Sequence, residues 1–284
     1  RLVGSEMCIR DRITIKEIAQ QAGFSPSTVS RLLSNDPSLS VSPETKQKIL
    51  NTALSLGYER KYIKTIIEKI ALLFWITEIE ELEDIYFKDM RLKIEKYANE
   101  NNMELVTIKK ESGISKIPKD INGFIAIGSF SEKEISKLLK ITKNGVFIDS
   151  NPAPDYYDSV QPNTPLITKK AIDYFIKNGH SNIGFIGGTF HNPNTDLEEK
   201  DIREVAFRYY MQKIGYFNED NIFIEPNFSV DSGYKSAKKA IENLKDKLPT
   251  AFFVASDPIA IGVLQALNEY NIPCLLYTSD AADD

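Results

Sequence analysis

"AGFSPSTVSRLL", residues 22–33, brings Ser25, Ser27, Thr28, Ser30 and Arg31 into one short, otherwise apolar helical stretch. Small hydroxyl residues are weak helix formers, because their side chains compete with the backbone for hydrogen bonds. Their density here calls for a role outside the core. Val29, Leu32 and Leu33 recur at helical spacing and are predicted to face inward, which leaves Ser27, Thr28, Ser30 and Arg31 on the outer face. Pro26 suits the first turn, and either Ser25 or Ser27 can cap the helix.

The flanks carry equally clear punctuation. Thr14 and Glu17 have capping-box spacing, Ile18, Ala19 and Ala22 form an inward face, and Gly23 ends that helix. Downstream, Ser42 caps a third helix, Pro43 takes its first position, and Ile49, Leu50, Ala53 and Leu56 make a stripe up to Gly57. Two short helices joined by a Gly-containing turn form a helix-turn-helix pattern. Hydroxyls and an arginine near the start of the second helix can bond phosphates and base edges, and the helix N-terminus itself favours a phosphate. The same pattern also suits a three-helix packing unit whose serine-rich start is a capped, solvated end. Between Ile13 and Lys64, seven basic residues stand against four acidic ones, although the whole chain has a net charge of −5. A cationic head on an acidic body fits a polyanion that meets the head alone.

With 284 residues, 42% hydrophobic and 10% aromatic, the chain can bury a sizeable core in more than one domain. Residues 1–12 and 274–284 share no periodicity with their neighbours and read as non-native segments, set aside from fold reasoning. Both cysteines, Cys8 and Cys274, fall there, so no disulfide framework or thiolate metal site is expected. With no P-loop or dinucleotide spacing in the chain, no cofactor is expected either. The remaining chain is expected to be a fragment that stops in mid-domain at "NEYNIP" and to be poorly stable as written. No apolar run approaches the roughly 18 residues of a membrane span, and no signal segment opens the chain. A cytoplasmic protein with no membrane contact is the expectation.

After Lys69 the periodicity changes. "KIALLFWI", "MELVTI", "INGFIAIG", "GVFID", "NIGFIGG" and "TAFFVAS" read as strands. They alternate with helical patterns such as "IYFKDMRLKIEKYANENN", "PLITKKAIDYFIKNG" and "IREVAFRYYMQKIG". That alternation implies βαβ units in doubly wound parallel sheets, with ligands beyond the carboxyl ends of the strands. Polar residues gather at those ends: Trp75 and Thr77, Ser129, Asp149, Gly187 and Gly188, and Ser256 and Asp257. Five strands ending in this way suggest a shared cleft, although Asp257 before Pro258 is equally a good helix cap.

"ITIKEIAQQAGFSPSTVSRLLS" followed by "VSPETKQKILNTALSLGY" resembles the DNA-binding head of the lactose/galactose repressor family at nearly every fixed position. The resemblance implies that Pro26 and Ser27 choose operator bases, and that Thr14, Ile15, Thr28, Ser30, Arg31, Ser42 and Thr45 make base or backbone contacts. Ser34 departs from the usual Asn. The hinge stretch "ERKYIKTIIEK" lacks the family's Pro-Asn start and its leucine wedge, so a hinge helix is left open and no wedge is assigned. "FIKNGHSNIGFIGG", "IREVAFRYYM" and "SDPIAIGVLQALNEYNIP" are similar to the same family's periplasmic-binding-protein-like body. This implies an all-α head over 13–59, a linker over 60–68, and two parallel doubly wound subdomains over 69–160 and 161–273, the second incomplete.

The resemblance carries effector contacts onto Trp75, Ser129, Asp149, Arg203, Phe228, Ser256 and Asp257. A carboxylate and a guanidinium can bond vicinal sugar hydroxyls while an aromatic ring covers the apolar sugar face. "WITEIEELEDIYFKDMRLKIEKYA" is similar to the branch that regulates galactose and β-galactosidase operons, which implies galactose or a β-galactoside as effector. The implied partners are double-stranded operator DNA, that small sugar, and a second copy of the chain in a homodimer or higher oligomer. His180 and His191 read as structural rather than catalytic, and "GFIGG" lacks the spacing of a dinucleotide loop. No metal-ligand spacing occurs. An α/β enzyme would leave the head unexplained, and a sugar-binding protein without DNA regulation would need a secretion signal and no head.

Overall fold

The computed structural model describes residues 13–274, so the segments 1–12 and 275–284 lie outside the described residues. The described residues begin with three helices, α1 (Ile15–Ala22), α2 (Pro26–Leu33) and α3 (Pro43–Ser55). Each begins as its sequence dictates: Thr14 and Glu17 close a reciprocal capping box, Ser25 caps α2 ahead of Pro26, and Ser42 caps α3 ahead of Pro43. Gly23 ends α1 at φ 78°, a left-handed position that costs glycine little. Ile18, Ala19, Ala22, Val29, Leu32, Leu33, Ile49, Leu50 and Ala53 are buried together, as their spacing predicts.

The linker contains no α-helix. Arg60–Tyr62 makes one 3-10 turn, after which the chain runs extended and buries Ile63 and Ile67 in the head's own cluster. Thr65 donates its hydroxyl to the Leu32 carbonyl, and the Lys64 amide donates to the Leu33 carbonyl at 2.6 Å. Helix ends leave carbonyls without intrahelical partners. Here the linker satisfies those at the end of α2.

The body holds two sheets. The first is wholly parallel, in the order β2 (Met103–Lys109), β1 (Glu68–Trp75), β3 (Gly123–Gly128), β4 (Gly145–Ile148), β5 (Asp158–Val160). Helices α4 (Glu78–Glu83), α5 (Ile85–Glu100) and α6 (Glu132–Ile141) form its crossovers. Ala71 and Leu73 of β1 point to one face, packed with the edge-to-face rings of Phe124, Phe147 and Tyr157; Leu72 and Phe74 point to the other.

The second sheet centres on β6 (Ile183–Asn192), which pairs in parallel with β8 (Ile222–Glu225) and β9 (Ala251–Val254). Helices α7 (Thr164–Lys177), α8 (Ile202–Ile214), α9 (Val230–Leu244) and α10 (Asp257–Glu269) cover it. One feature departs from the expected parallel winding. The last four residues of β6 leave the parallel sheet and turn back antiparallel with β7 (Leu197–Lys200), making an exposed hairpin over residues 189–200. It lacks the buried alternation that marks a strand in sequence, and polar side-chain pairs hold it instead.

Candidate DNA-reading head and effector cleft

On α2, Pro26, Ser27 and Ser30 are exposed while Val29, Leu32 and Leu33 are buried, so the outer face is short, small and polar. Thr28 is drawn into the cap, 2.8 Å from the Ser25 hydroxyl. Thr14 is held by Glu17, Ile15 packs against the head's cluster, and Thr45 is bound to the Ser42 cap at 3.2 Å through its amide. Arg31 is braced: its Nε donates to Asp36 at 2.8 Å and its Nη2 to the Ser38 hydroxyl at 2.8 Å. Hydrogen bonds from Ser38 and Arg31 draw the Asp36 carboxyl down to about 2, so the Asp36 anion persists through the neutral range.

The second constellation forms where the carboxyl ends of the two sheets meet. Asp149 follows β4 with φ 64°, a conformation seldom adopted by non-glycine residues and common at functional sites. Its amide donates to the Val160 carbonyl at 2.9 Å, and beside it Ser150 donates to the Gly128 carbonyl at 3.1 Å, which places the half-buried Ser129 alongside. From the other lobe, Arg203 donates through Nε to Asp201 at 2.6 Å, through Nη2 to the same carboxylate at 3.0 Å, and through Nη1 to the Ala255 carbonyl at 2.6 Å. The guanidinium lies 4.6 Å from the centre of the Phe228 ring. Asp149 and the Arg203 charge thus act on each other across the lobes, with the Phe228 ring against the guanidinium.

Tyr86, in the first turn of α5, belongs with them and was not singled out in the sequence. It hydrogen-bonds to Asp149, and burial followed by the Asp149 charge pushes its hydroxyl up to about 12. Crowding by protein raises the Asp149 carboxyl above its ordinary range, partly offset by the Arg203 charge and the Tyr86 hydrogen bond. A signal did exist, since α5 is the second helix of the crossover that leaves the cleft end of β1.

Two expected contacts sit differently. Trp75 is only 2% exposed, stacks on Phe130 at 4.8 Å and donates its Nε1–H to Glu134 at 2.7 Å. It is a wall behind the cleft, closed to a ligand in this arrangement. At the start of α10, Asp257 is exposed, whereas the Ser256 hydroxyl is buried with no hydrogen-bond partner among the described residues. His180 bonds Thr250 at 3.0 Å where β6 and β9 begin, at the end of the sheet away from the cleft, and His191 lies in the hairpin. Among the described residues no group of His, Cys, Asp and Glu could hold a metal ion, and no helix is long and apolar enough to cross a membrane.

Comparison with known proteins matches residues 14–61 to the family described as bacterial regulatory proteins, lacI family, and residues 172–274 to a periplasmic binding protein-like domain. The HTH-type transcriptional regulator GanR of Bacillus subtilis is 52% identical over 259 residues, covering 91% of this chain and 78% of GanR. The chain belongs to the lacI family of bacterial regulatory proteins. A second relative, the HTH-type transcriptional regulator LacR of Lactobacillus helveticus, is 43% identical, covering 91% of this chain and 78% of LacR. A solved lac repressor dimer bound to operator and an anti-inducer shares 18% identity at a TM-score of 0.60, covering 92% of this chain and 79% of that one. That likeness shows the fold. This lacI-family chain is a DNA-binding transcriptional regulator and not an enzyme.

Proposed function

We propose that this regulator represses a sugar-utilisation operon and that a small sugar, galactose or a β-galactoside, releases it from its operator. The observation that carries the sugar reading is the cleft itself: Arg203 braced over Phe228, with the Asp149 carboxylate and the Tyr86 hydroxyl nearby. A carboxylate and a guanidinium can bond neighbouring hydroxyls, and the ring offers an apolar surface to a pyranose face. The unpartnered Ser256 hydroxyl favours the same reading, since a buried polar atom is costly unless something bonds it. Trp75 acts behind this layer, and Asp257 and Ser129 at its edge.

In the head, Pro26, Ser27 and Ser30 read operator bases, while Thr14, Ile15, Thr28, Arg31, Ser42 and Thr45 fix the helix on the backbone. The regulator acts in the cytoplasm as a homodimer whose two heads read half-sites of a near-palindromic operator. Exposed Ile79, Leu82 and Ile85 on α4 and the start of α5 favour that pairing. The sugar shifts the lobes, and the effect on DNA can be no larger than its differential affinity for the two states.

The test is fluorescence-anisotropy binding to the protein's own upstream DNA at two salt concentrations, with and without galactose and lactose. Sequence-selective binding relieved by either sugar is expected. Binding that depends on salt alone and ignores sequence would overturn the proposal.

A further inference from the structure

The hairpin over residues 189–200 grows from the rim of the cleft. Its first strand continues from Gly188 and its second leads into Asp201, the residue that holds Arg203. None of its twelve side chains is buried. A two-stranded hairpin without an apolar face is marginal in water. Polar pairs shape it: Thr189 with Glu198, His191 with Asp196 and Glu198, and Asn192 Nδ2 donating to Glu199 at 2.7 Å.

The tip has a partner elsewhere. Asn192 Oδ1 accepts from the Asn194 amide at 2.9 Å, turning the chain so that Asn194 Oδ1 accepts from the backbone amide of Glu132 at 2.7 Å. Glu132 is the first residue of α6, in the other lobe. The first amides of a helix have no intrahelical acceptor, so Asn194 satisfies such a donor across the cleft.

That helix start is tied in turn to the centre of the first sheet. Ser131 donates its amide and its hydroxyl to one oxygen of Glu134, each at 2.8 Å, and the other oxygen accepts from Trp75 Nε1 at 2.7 Å. Trp75 ends β1, and the chain entering β1 carries Thr65 and Lys64, which bond the last carbonyls of α2.

We infer that Asn194 is a positioning residue, a cross-cleft latch through which the second lobe holds the start of α6 and, through Glu134, orients Trp75 when the lobes close. Its role in the sugar response rests on the reading of the cleft given above. The latch needs only an acceptor oxygen, so Asn194→Asp retains it and Asn194→Ala removes it.

The first measurement is hydrogen exchange at the Glu132 amide without any sugar. Asn194→Ala should speed it by about five- to tenfold, the factor one intramolecular hydrogen bond supports, while Asn194→Asp leaves it as in the wild type. The second uses lactose as probe. Calorimetry should show Asn194→Ala binding it about five- to tenfold more weakly. Emission from Trp75, the chain's single tryptophan, should shift with lactose in the wild type and Asn194→Asp but not in Asn194→Ala. Unchanged Glu132 exchange in Asn194→Ala, or exchange in Asn194→Asp as fast as in Asn194→Ala, would overturn the latch. If neither lactose nor galactose binds the wild type, the sugar reading falls, and Glu132 exchange still decides the latch.

Discussion

Arg31 and Arg203 are both guanidiniums braced by an aspartate, and their surroundings set what each can do. Arg31 keeps a side chain 42% exposed at the outer edge of the head, whereas Arg203 is held against Phe228 and the Ala255 carbonyl inside the cleft. Arg31→Ala should weaken operator binding and leave sugar affinity unchanged. Arg203→Ala should lose about 1.5–3 kcal/mol of sugar affinity, the worth of a charged hydrogen bond, and leave operator binding in the absence of sugar intact. Anisotropy and calorimetry on both variants check the division; equal losses in both assays would refute it. Asp149 makes a pH prediction. Its raised pKa means that the fold holds the charged form less well than the unfolded chain does. Stability from this group therefore rises as pH falls through the raised value and levels off below the ordinary 3.8. Asp149→Asn should raise the melting midpoint at pH 7, remove that acid-side gain and weaken sugar binding.

The elements differ in how much of them the sequence disclosed. Helices α1 to α3 were legible because Thr14, Ser25 and Ser42 announce their starts and the buried residues recur at helical spacing. The hairpin over 189–200 was not, because its pairing rests on polar side chains and the contact of Asn194 with Glu132, 62 residues away. Its "NPNTD" turn was the one available sign. The crossing of α9 and α10 was equally hidden. A Cβ on Gly262 would lie 1.9 Å from the Val230 carbonyl oxygen, and one on Gly233 would lie 2.1 Å from that of Ile259. Helix propensity alone predicts that Gly262→Ala stabilises by about 1 kcal/mol. Backbone cannot rotate away as a side chain can, so overpacking of about 3 kcal/mol should prevail and leave the variant about 2 kcal/mol less stable. A thermal melt decides the sign.

At the scale of the whole molecule, Ile79, Leu82 and Ile85 are 68%, 86% and 66% exposed, an apolar face that a monomer leaves in water. Leu82→Glu should dissociate the proposed dimer in sedimentation and lower operator affinity, because one head then reads one half-site, while each protomer keeps its sugar affinity. A monomeric wild type would refute the pairing. The sequence by itself determined the three capped helices of the head, the outward face of α2, the alternation that builds two sheets, and the place of Asp149 at the carboxyl end of a strand, whereas Arg203 and Phe228 were reached only through the family resemblance. Those properties are local: caps act over three residues, periodicity over a few turns, and strand ends follow from strand positions. Only the tertiary structure decided that Tyr86 joins Asp149, that Trp75 stands behind the cleft, that Ile63 and Ile67 belong to the head's core, and that Asn194 reaches Glu132. Each of these depends on contacts between segments far apart in the chain, whose meeting is set by how sheets and helices pack rather than by any local pattern.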